Sequence, residues 1–427
     1  MVMDTVAALG RPYRARILDR GVQDALRIAG AIVIEGPRAC GKTMTAMNAA
    51  GSFVLVDDPA VQQVLAVSPR AVLDGTAPRL LDEWQLVPEL WNLVRRAVDA
   101  TSSPGRFILT GSAVPADDST RHTGAGRFLR LRQRTMTWWE KNDAPDAEVS
   151  LTQLFEGVRP PPRLDAGLEL DELIENLLRP GFPAMTRLTA EQSSQLLRGY
   201  IDEVARTDVP RLADVRHEPG VIAQLLASLA RSVASEVAYT TLAADLRPVA
   251  PTINAETVSG YVRLLRRVFV VEPQLPWAPR LRSRARLRTS PKLHLADAAL
   301  AATALGAGAK QLRTDLATLG LLFESAVVHD LAVFAERLGG EVRHYRDSNG
   351  KEIDAIVTLP DGRWGAVEVK LGGAQVSAGA ESLRGVVDQI DTGAVGEPAF
   401  RLVVTGTGPV LTADDGTVTC PLSALAP

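Results

Sequence analysis

Ala31-Ile32-Val33-Ile34-Glu35-Gly36-Pro37-Arg38-Ala39-Cys40-Gly41-Lys42-Thr43 is the stretch on which the reading of this chain turns. Its apolar start predicts a buried strand. Residues Gly36, Pro37, Arg38, Ala39, Cys40, Gly41, Lys42 and Thr43 then fit G-x-x-x-x-G-K-S/T at every fixed position. The amphipathic stretch Thr43–Ala50 predicts the helix that such a loop requires. Glycine at both ends lets backbone amides turn inward around phosphate groups, and the helix N-terminus adds its partial positive charge. Lys42 is expected to reach the β- and γ-phosphates of ATP, and Thr43 to hold Mg²⁺.

Outward from this loop, Phe53–Val56, Arg79–Asp82 and Phe107–Thr110 read as further buried strands, separated by amphipathic stretches near Pro59–Val67 and Pro88–Ala100. Alternating strands and helices predict a parallel sheet covered on both faces. Leu80-Leu81-Asp82-Glu83 is an apolar strand ending in two carboxylates. Asp82 is expected to contact Mg²⁺ and Glu83 to polarise the attacking water as general base. A strand between the two motifs points to the AAA-type branch of phosphate-loop ATPases. The next strand ends Thr110-Gly111-Ser112, where either hydroxyl suits a γ-phosphate sensor and Thr110 is preferred.

Composition bounds the rest. The chain has 427 residues, 46% hydrophobic and 23% charged, which excludes a disordered chain, a coiled coil and a fibre. A net charge of −3 means that any nucleic-acid contact rests on a local patch. Two cysteines, Cys40 and Cys420, are too few for a disulfide framework. The start lacks a signal-peptide pattern and no run approaches the length of a membrane span, so a cytoplasmic protein without a membrane partner is expected. Only six of the 47 basic residues are lysine. A lysine in such a chain is more apt to sit where its chemistry is needed.

The expected organisation is an ATPase domain over 1–140, a polar, proline-rich linker over 141–165, and a helical region with a winged helix over 166–276. A basic strip over 277–292 and an α+β domain over 293–427 complete it. Thr240–Leu246 and Asn254–Arg267 read as helix-turn-helix, with Thr257, Arg263, Arg266 and Arg267 suited to phosphate. Winged helices also bind proteins, so a DNA and a protein partner both stay open. In the strip, Arg280, Arg282, Arg284, Arg286 and Arg288 occupy every second position and would line one face of an extended strand. That is either a DNA- or RNA-binding patch or a charged strand edge that resists pairing.

Near the C-terminus, Trp364–Lys370 reads as a strand with Glu368 and Lys370 on one face, and Asp354 lies on the strand before it. Between them, Leu359-Pro360-Asp361-Gly362-Arg363 fits a three-residue hairpin loop with Gly362 in the left-handed region. That loop places Asp354 opposite Glu368, whereas a two-residue turn would put it on the wrong face. Two carboxylates about 5 Å apart repel unless a cation joins them, so Mg²⁺ or Mn²⁺ is the expected partner. Lys370 would orient or deprotonate water for attack on a phosphodiester.

Gly36–Thr43, Leu81-Asp82-Glu83, Leu109-Thr110-Gly111-Ser112 and Gly126-Arg127 resemble the bacterial and archaeal AAA-type ATPases that carry a C-terminal domain of unknown function. The family's short segment ending in Glu has its counterpart at Glu140, and Arg179–Pro183, Pro291–Asp297 and Leu321–Val328 extend the resemblance over nearly the whole chain. It implies Arg127 as a γ-phosphate or trans-acting arginine. Asp354…Glu368-x-Lys370 resembles the signature of restriction-endonuclease-like nucleases, with Glu324 as the further acidic ligand that some members use. The fold class that follows is α/β: an N-terminal phosphate-loop ATPase, a winged-helix connector and a C-terminal α+β nuclease-like domain. The expected function is ATP hydrolysis coupled to a nucleic-acid-directed, nuclease-type domain. The alternative is a nucleotide-gated switch, a regulator or toxin- or defence-like protein, that binds DNA or a protein partner and cuts nothing. AAA-type ATPases often form rings, although no oligomerisation motif is visible.

Overall fold

The computed structural model describes residues 13–101, 103–113, 124–142, 148–212, 218–279, 290–347 and 349–427. The chain forms two units, residues 1–135 with 264–270 and residues 136–263 with 271–427.

In the first unit, strands β1 (Ala31–Glu35), β2 (Ser52–Leu55), β3 (Arg79–Asp82), β4 (Phe107–Gly111) and β5 (Phe128–Arg132) form one sheet. The order is β2-β3-β4-β1-β5 and every pairing is parallel. Side chains alternate between the two faces of each strand. Ala31, Val33, Leu81, Phe107 and Leu109 pack with Trp84, Leu90, Trp91, Val94 and Val98 on one side. Ile32, Ile34, Leu80 and Ile108 pack with Val22, Leu26, Ala46 and Met47 on the other. The latter come from helices α1 (Leu18–Ile28) and α2 (Lys42–Ala49), and Leu90 to Val98 from a helix over Glu89–Thr101. This is the doubly covered sheet that the strand–helix alternation predicts.

The second unit begins at Met136 and takes in the expected linker. Val149–Ser150 pairs in parallel with Leu425–Ala426, and Leu151–Phe155 is a short helix with Leu151, Leu154 and Phe155 buried. Phe155 meets Phe400 edge-on at 5.0 Å. Residues 149–155 are therefore built into the core of this unit, because the buried side chains of Val149, Leu151, Leu154 and Phe155 outweigh the polar and proline-rich neighbours that suggest a spacer, while 156–163 stay largely exposed. The boundaries expected at 276 and 292 also fall away. Strands β7 (Ser235–Glu236), β8 (Val271–Gln274) and β9 (Lys292–Leu295) span them in one antiparallel sheet of order β7-β9-β8. Helices at Pro219–Arg231, Tyr239–Leu246 and Ala255–Arg267 precede β8.

The larger sheet of this unit has the order β10-β11-β12-β13-β15-β14. Its members are β10 (Glu341–Arg346), β11 (Glu352–Thr358), β12 (Trp364–Lys370), β13 (Phe400–Thr405), β14 (Leu411–Thr412) and β15 (Val418–Pro421). The first three form an antiparallel meander. Helix α3 (Val376–Val387) then carries the chain to β13, parallel to β12. The β11–β12 register matches the loop chemistry: Ala355 faces Val367 and Thr358 faces Trp364. Gly362 has φ +90° and donates its N–H to Leu359 O at 3.0 Å, and Leu359 N–H donates to Arg363 O at 2.8 Å. The helix preceding the meander, Leu316–Arg337, is long and apolar enough to cross a membrane by length and composition. Yet it carries Glu324 and Asp330, and Leu319, Leu322, Phe323, Leu331 and Phe334 are buried in the unit's interior, as in the core helix of a globular domain.

Gly365 lies beside Phe400, and a β-carbon there would come within 2.1 Å of the ring. Gly365→Ala should therefore cost about 1–3 kcal/mol through overpacking. The expected readout is a lowered urea midpoint for the C-terminal unit with ATP binding retained.

Candidate functional site

The loop Gly36–Gly41 leaves the C-terminal end of central strand β1 and enters α2 through Gly41 at φ +101°. Its geometry is held from outside. Arg16 Nη1 donates to Cys40 O at 2.9 Å, and Gln133 Nε2 donates to the same oxygen at 3.2 Å and to Thr45 Oγ1 at 3.1 Å. Tying this carbonyl outward leaves the loop amides free to face an anion. Gly36 is required by contact, since a β-carbon there would lie 2.0 Å from Gln133 O. Lys42 is buried and its Nζ donates to Pro37 O at 2.8 Å.

β4 separates β1 from β3, so the acidic pair at the end of β3 faces the loop across the end of β4. Thr110, on β4, donates its hydroxyl to Asp82 Oδ1 at 2.5 Å and accepts the Glu83 N–H at 3.2 Å. Thr43 also hydrogen-bonds Asp82. Burial pushes the Asp82 carboxyl up to about 6, against the pull of the Thr110 and Thr43 hydroxyls. A carboxylate joined to the loop threonine is the donor set that suits Mg²⁺. Glu83 adopts φ +55°, a strained backbone for a residue with a side chain. Its Oε2 accepts from Ser112 Oγ at 3.1 Å and from Gln85 Nε2. The two candidate sensors thus divide the work: Thr110 braces Asp82, and Ser112 holds Glu83.

Arg127 is placed away from the loop. Its carbonyl accepts Ala31 N–H at 3.2 Å and its Nε meets Asp99 at 2.7 Å. It lies beside the start of β1, whereas the loop follows the end of that strand, about 15 Å away at roughly 3.3 Å per residue. Of the two roles the resemblance implies, this placement favours the trans-acting one over contact with a phosphate held by the same chain. Glu140, the other resemblance residue, caps its own helix reciprocally with Thr137 and is buried.

In the second unit, Asp354, Glu368 and Lys370 lie at one end of the paired strands β11 and β12, and Glu324 comes to them from the long helix. Lys370 Nζ meets Glu368 Oε1 at 2.6 Å, and Val369 N–H donates to Asp354 Oδ2 at 2.8 Å. The Lys370 stem lies against helix α3 at Gly379, where a β-carbon would sit 3.1 Å from Lys370 Cγ. A residue not foreseen completes the group: Lys292, 4% exposed, with Nζ 2.7 Å from Glu324 Oε1 and 3.9 Å from Asp354 Oδ1. The scarcity of lysine was the signal for it. Gln274 donates to Asp354 O at 2.8 Å and is itself met by His294, which burial holds neutral, its value lowered to about 3. Burial, then repulsion from Asp354, raises Glu324 to about 8 and Glu368 to about 7. Burial raises Asp354 as well. Burial alone would push Lys292 down, but Glu324 and Asp354 more than reverse this, so the ammonium keeps its charge.

The three carboxylates do not form the metal-ligand set expected from sequence. Among the described residues, no three His, Cys, Asp or Glu side chains are grouped to hold a metal ion. Glu324 and Asp354 instead flank an ammonium. Arg280, Arg282, Arg284, Arg286 and Arg288 lie outside the described residues.

Sheet order, loop and acidic pair together define a phosphate-loop ATPase domain. Residues 29–141 match the family model described as an AAA domain. Residues 170–311 and 319–425 match two domains of unknown function, DUF8612 and DUF4143, which assign no activity. The chain is 26% identical over 357 residues to the uncharacterized proteins Mb2031c of Mycobacterium bovis and Rv2008c of Mycobacterium tuberculosis, covering 81% of this chain and 71% of each relative. The Walker-type ATPase PABY2304 of Pyrococcus abyssi aligns at TM-score 0.40 and 13% identity, over 69% of this chain and 98% of that one. The N-terminal unit is an AAA-type ATPase domain.

Gln133→Ala removes a brace worth about 0.5–1.5 kcal/mol and should weaken ATP binding roughly two- to twelvefold. Calorimetric titration checks this, and an unchanged Kd would show that the brace does not shape the loop. A second expectation concerns pH. Glu324 has a folded value above its unfolded one, so its contribution to stability is full below about pH 4.3 and is lost as pH rises through about 8. Between pH 5 and 8.5 the wild type should therefore lose more Tm than Glu324→Gln.

Proposed function

We propose that this protein binds and hydrolyses ATP in its N-terminal unit, and that the nucleotide state governs a C-terminal unit directed at DNA or RNA. The observation that carries the first half is the convergence of Lys42, Thr43, Asp82 and Glu83, with Thr110 bonded to both acidic residues. The loop amides and the Lys42 ammonium would hold the β- and γ-phosphates. Thr43 and Asp82 would hold Mg²⁺, which when bound neutralises charge on the phosphate oxygens. Glu83, oriented by Ser112 and Gln85, would take the proton of the attacking water.

Two helices followed by the β8–β9 hairpin favour the winged-helix reading, and in sequence the arginine-rich strip lies between those two strands. The hairpin register that sets Asp354 beside Glu368 and Lys370 favours the nuclease-like resemblance. One observation favours the switch that binds without cutting: Lys292 stands between Glu324 and Asp354, where a cleaving site would place a metal.

Lys42→Ala should abolish nucleotide binding or reduce it greatly, since it removes a charge-assisted contact. Glu83→Gln should bind ATP normally and hydrolyse it at least about a hundredfold more slowly, within the range general-base catalysis supplies. A phosphate-release assay with and without DNA and RNA, the nucleic acid then run on a gel, separates the readings. Hydrolysis by Glu83→Gln at the wild-type rate would remove Glu83 from its role. EDTA-sensitive cleavage lost in Asp354→Ala and Lys370→Ala would establish the nuclease, and binding without cleavage the switch.

A further inference from the structure

A carboxylate cluster this deeply buried needs positive charge close by. Glu324 is held beside Lys292, and Asp354 faces the same ammonium. Glu368 is 5% exposed, and although its Oε1 meets Lys370, its Oε2 is buried without a hydrogen-bond partner. That orphaned oxygen is a sign that the cluster has more acceptor capacity than its two lysines satisfy. Lys292 does not arrive by chance of a flexible surface chain. It sits on β9, paired through both neighbours, Glu236 on β7 and Gln274 on β8. Its backbone is fixed on both sides, so the ammonium has a defined reach.

We propose that Lys292 is a tethered cation that takes the place of a divalent metal between Glu324 and Asp354, so that the lysine and a metal ion compete for the same carboxylates. The inference rests on the reading of these carboxylates as a nuclease-like set, and it explains why that set is not arranged as metal ligands. Competition follows from charge: a divalent ion entering beside a fixed ammonium meets twice the repulsion that a monovalent ion would, and the repulsion grows as the local dielectric falls. The wild-type cluster therefore binds divalent ions weakly, and neutralising Lys292 uncovers a metal site.

The test is titration of the full chain with Mn²⁺ in the absence of nucleotide, free Mn²⁺ being read by electron paramagnetic resonance. The wild type should bind no Mn²⁺ at this cluster at micromolar concentration. Lys292→Gln and Lys292→Met should each gain one Mn²⁺ bound at least tenfold more tightly, and Asp354→Asn in either background should abolish the gain. Lys292→Arg keeps the charge and should match the wild type. Micromolar Mn²⁺ binding by the wild type that Asp354→Asn removes would overturn the proposal without any variant at Lys292. So would Lys292→Gln or Lys292→Met that is folded by circular dichroism yet gains nothing, or Lys292→Arg that gains as much as Lys292→Gln. The nucleic-acid reading fails on a separate measurement, the absence of DNA and RNA binding by the wild type, and the Mn²⁺ comparison stands apart from it.

Discussion

A charge taken out of water has to meet a hydrogen-bonding partner or an opposite charge at close range, and both candidate sites of this protein are organised by that requirement. In the ATPase unit, Asp82 is buried and survives there because two threonine hydroxyls point at it. Lys42 is equally buried and turns its ammonium to a loop carbonyl. In the second unit, three carboxylates and two lysines share one enclosed space. Burial, with repulsion from Asp354 added to it, pushes Glu324 and Glu368 both upward.

How far these sites could be read from sequence depended on how local their determinants are. The phosphate loop is contiguous, and its chemistry imposes fixed residues at fixed spacing. The β11–β12 register was legible for the same reason: Pro360, Asp361 and Gly362 together favour a three-residue loop over a two-residue Asp-Gly turn, and loop length sets which residues face each other. The order of β4 between β1 and β3 needed one step more, from the motif to its class of sheet.

What escaped sequence reasoning was set by distant partners. Gln133 and Arg16 reach one carbonyl from positions 93 and 24 residues away, and nothing in their own neighbourhoods marks them. Lys292 meets Glu324 across 32 residues. The segment 148–155 looked like a spacer because its partner strand lies at the other end of the chain, at Leu425–Ala426. The two roles open to Arg127 could not be told apart in sequence, because a resemblance fixes a residue's neighbours in sequence and leaves open which end of a strand they occupy. Its ion pair with Asp99 belongs to the edge where the strands begin.

The division of the chain has a temporal consequence. The first unit takes residues 264–270 as well as residues 1–135, and 128 residues of the other unit intervene. A ribosome delivers the chain from its N-terminus, and domains generally fold as units in that order. Here the leading unit cannot be completed when its own five strands have emerged; it waits for residue 270. The second unit is then interrupted in its turn, since β8 and β9 still have to follow. The two units therefore finish folding interleaved, and a break in the chain near residue 135 would leave the ATPase unit without its last segment.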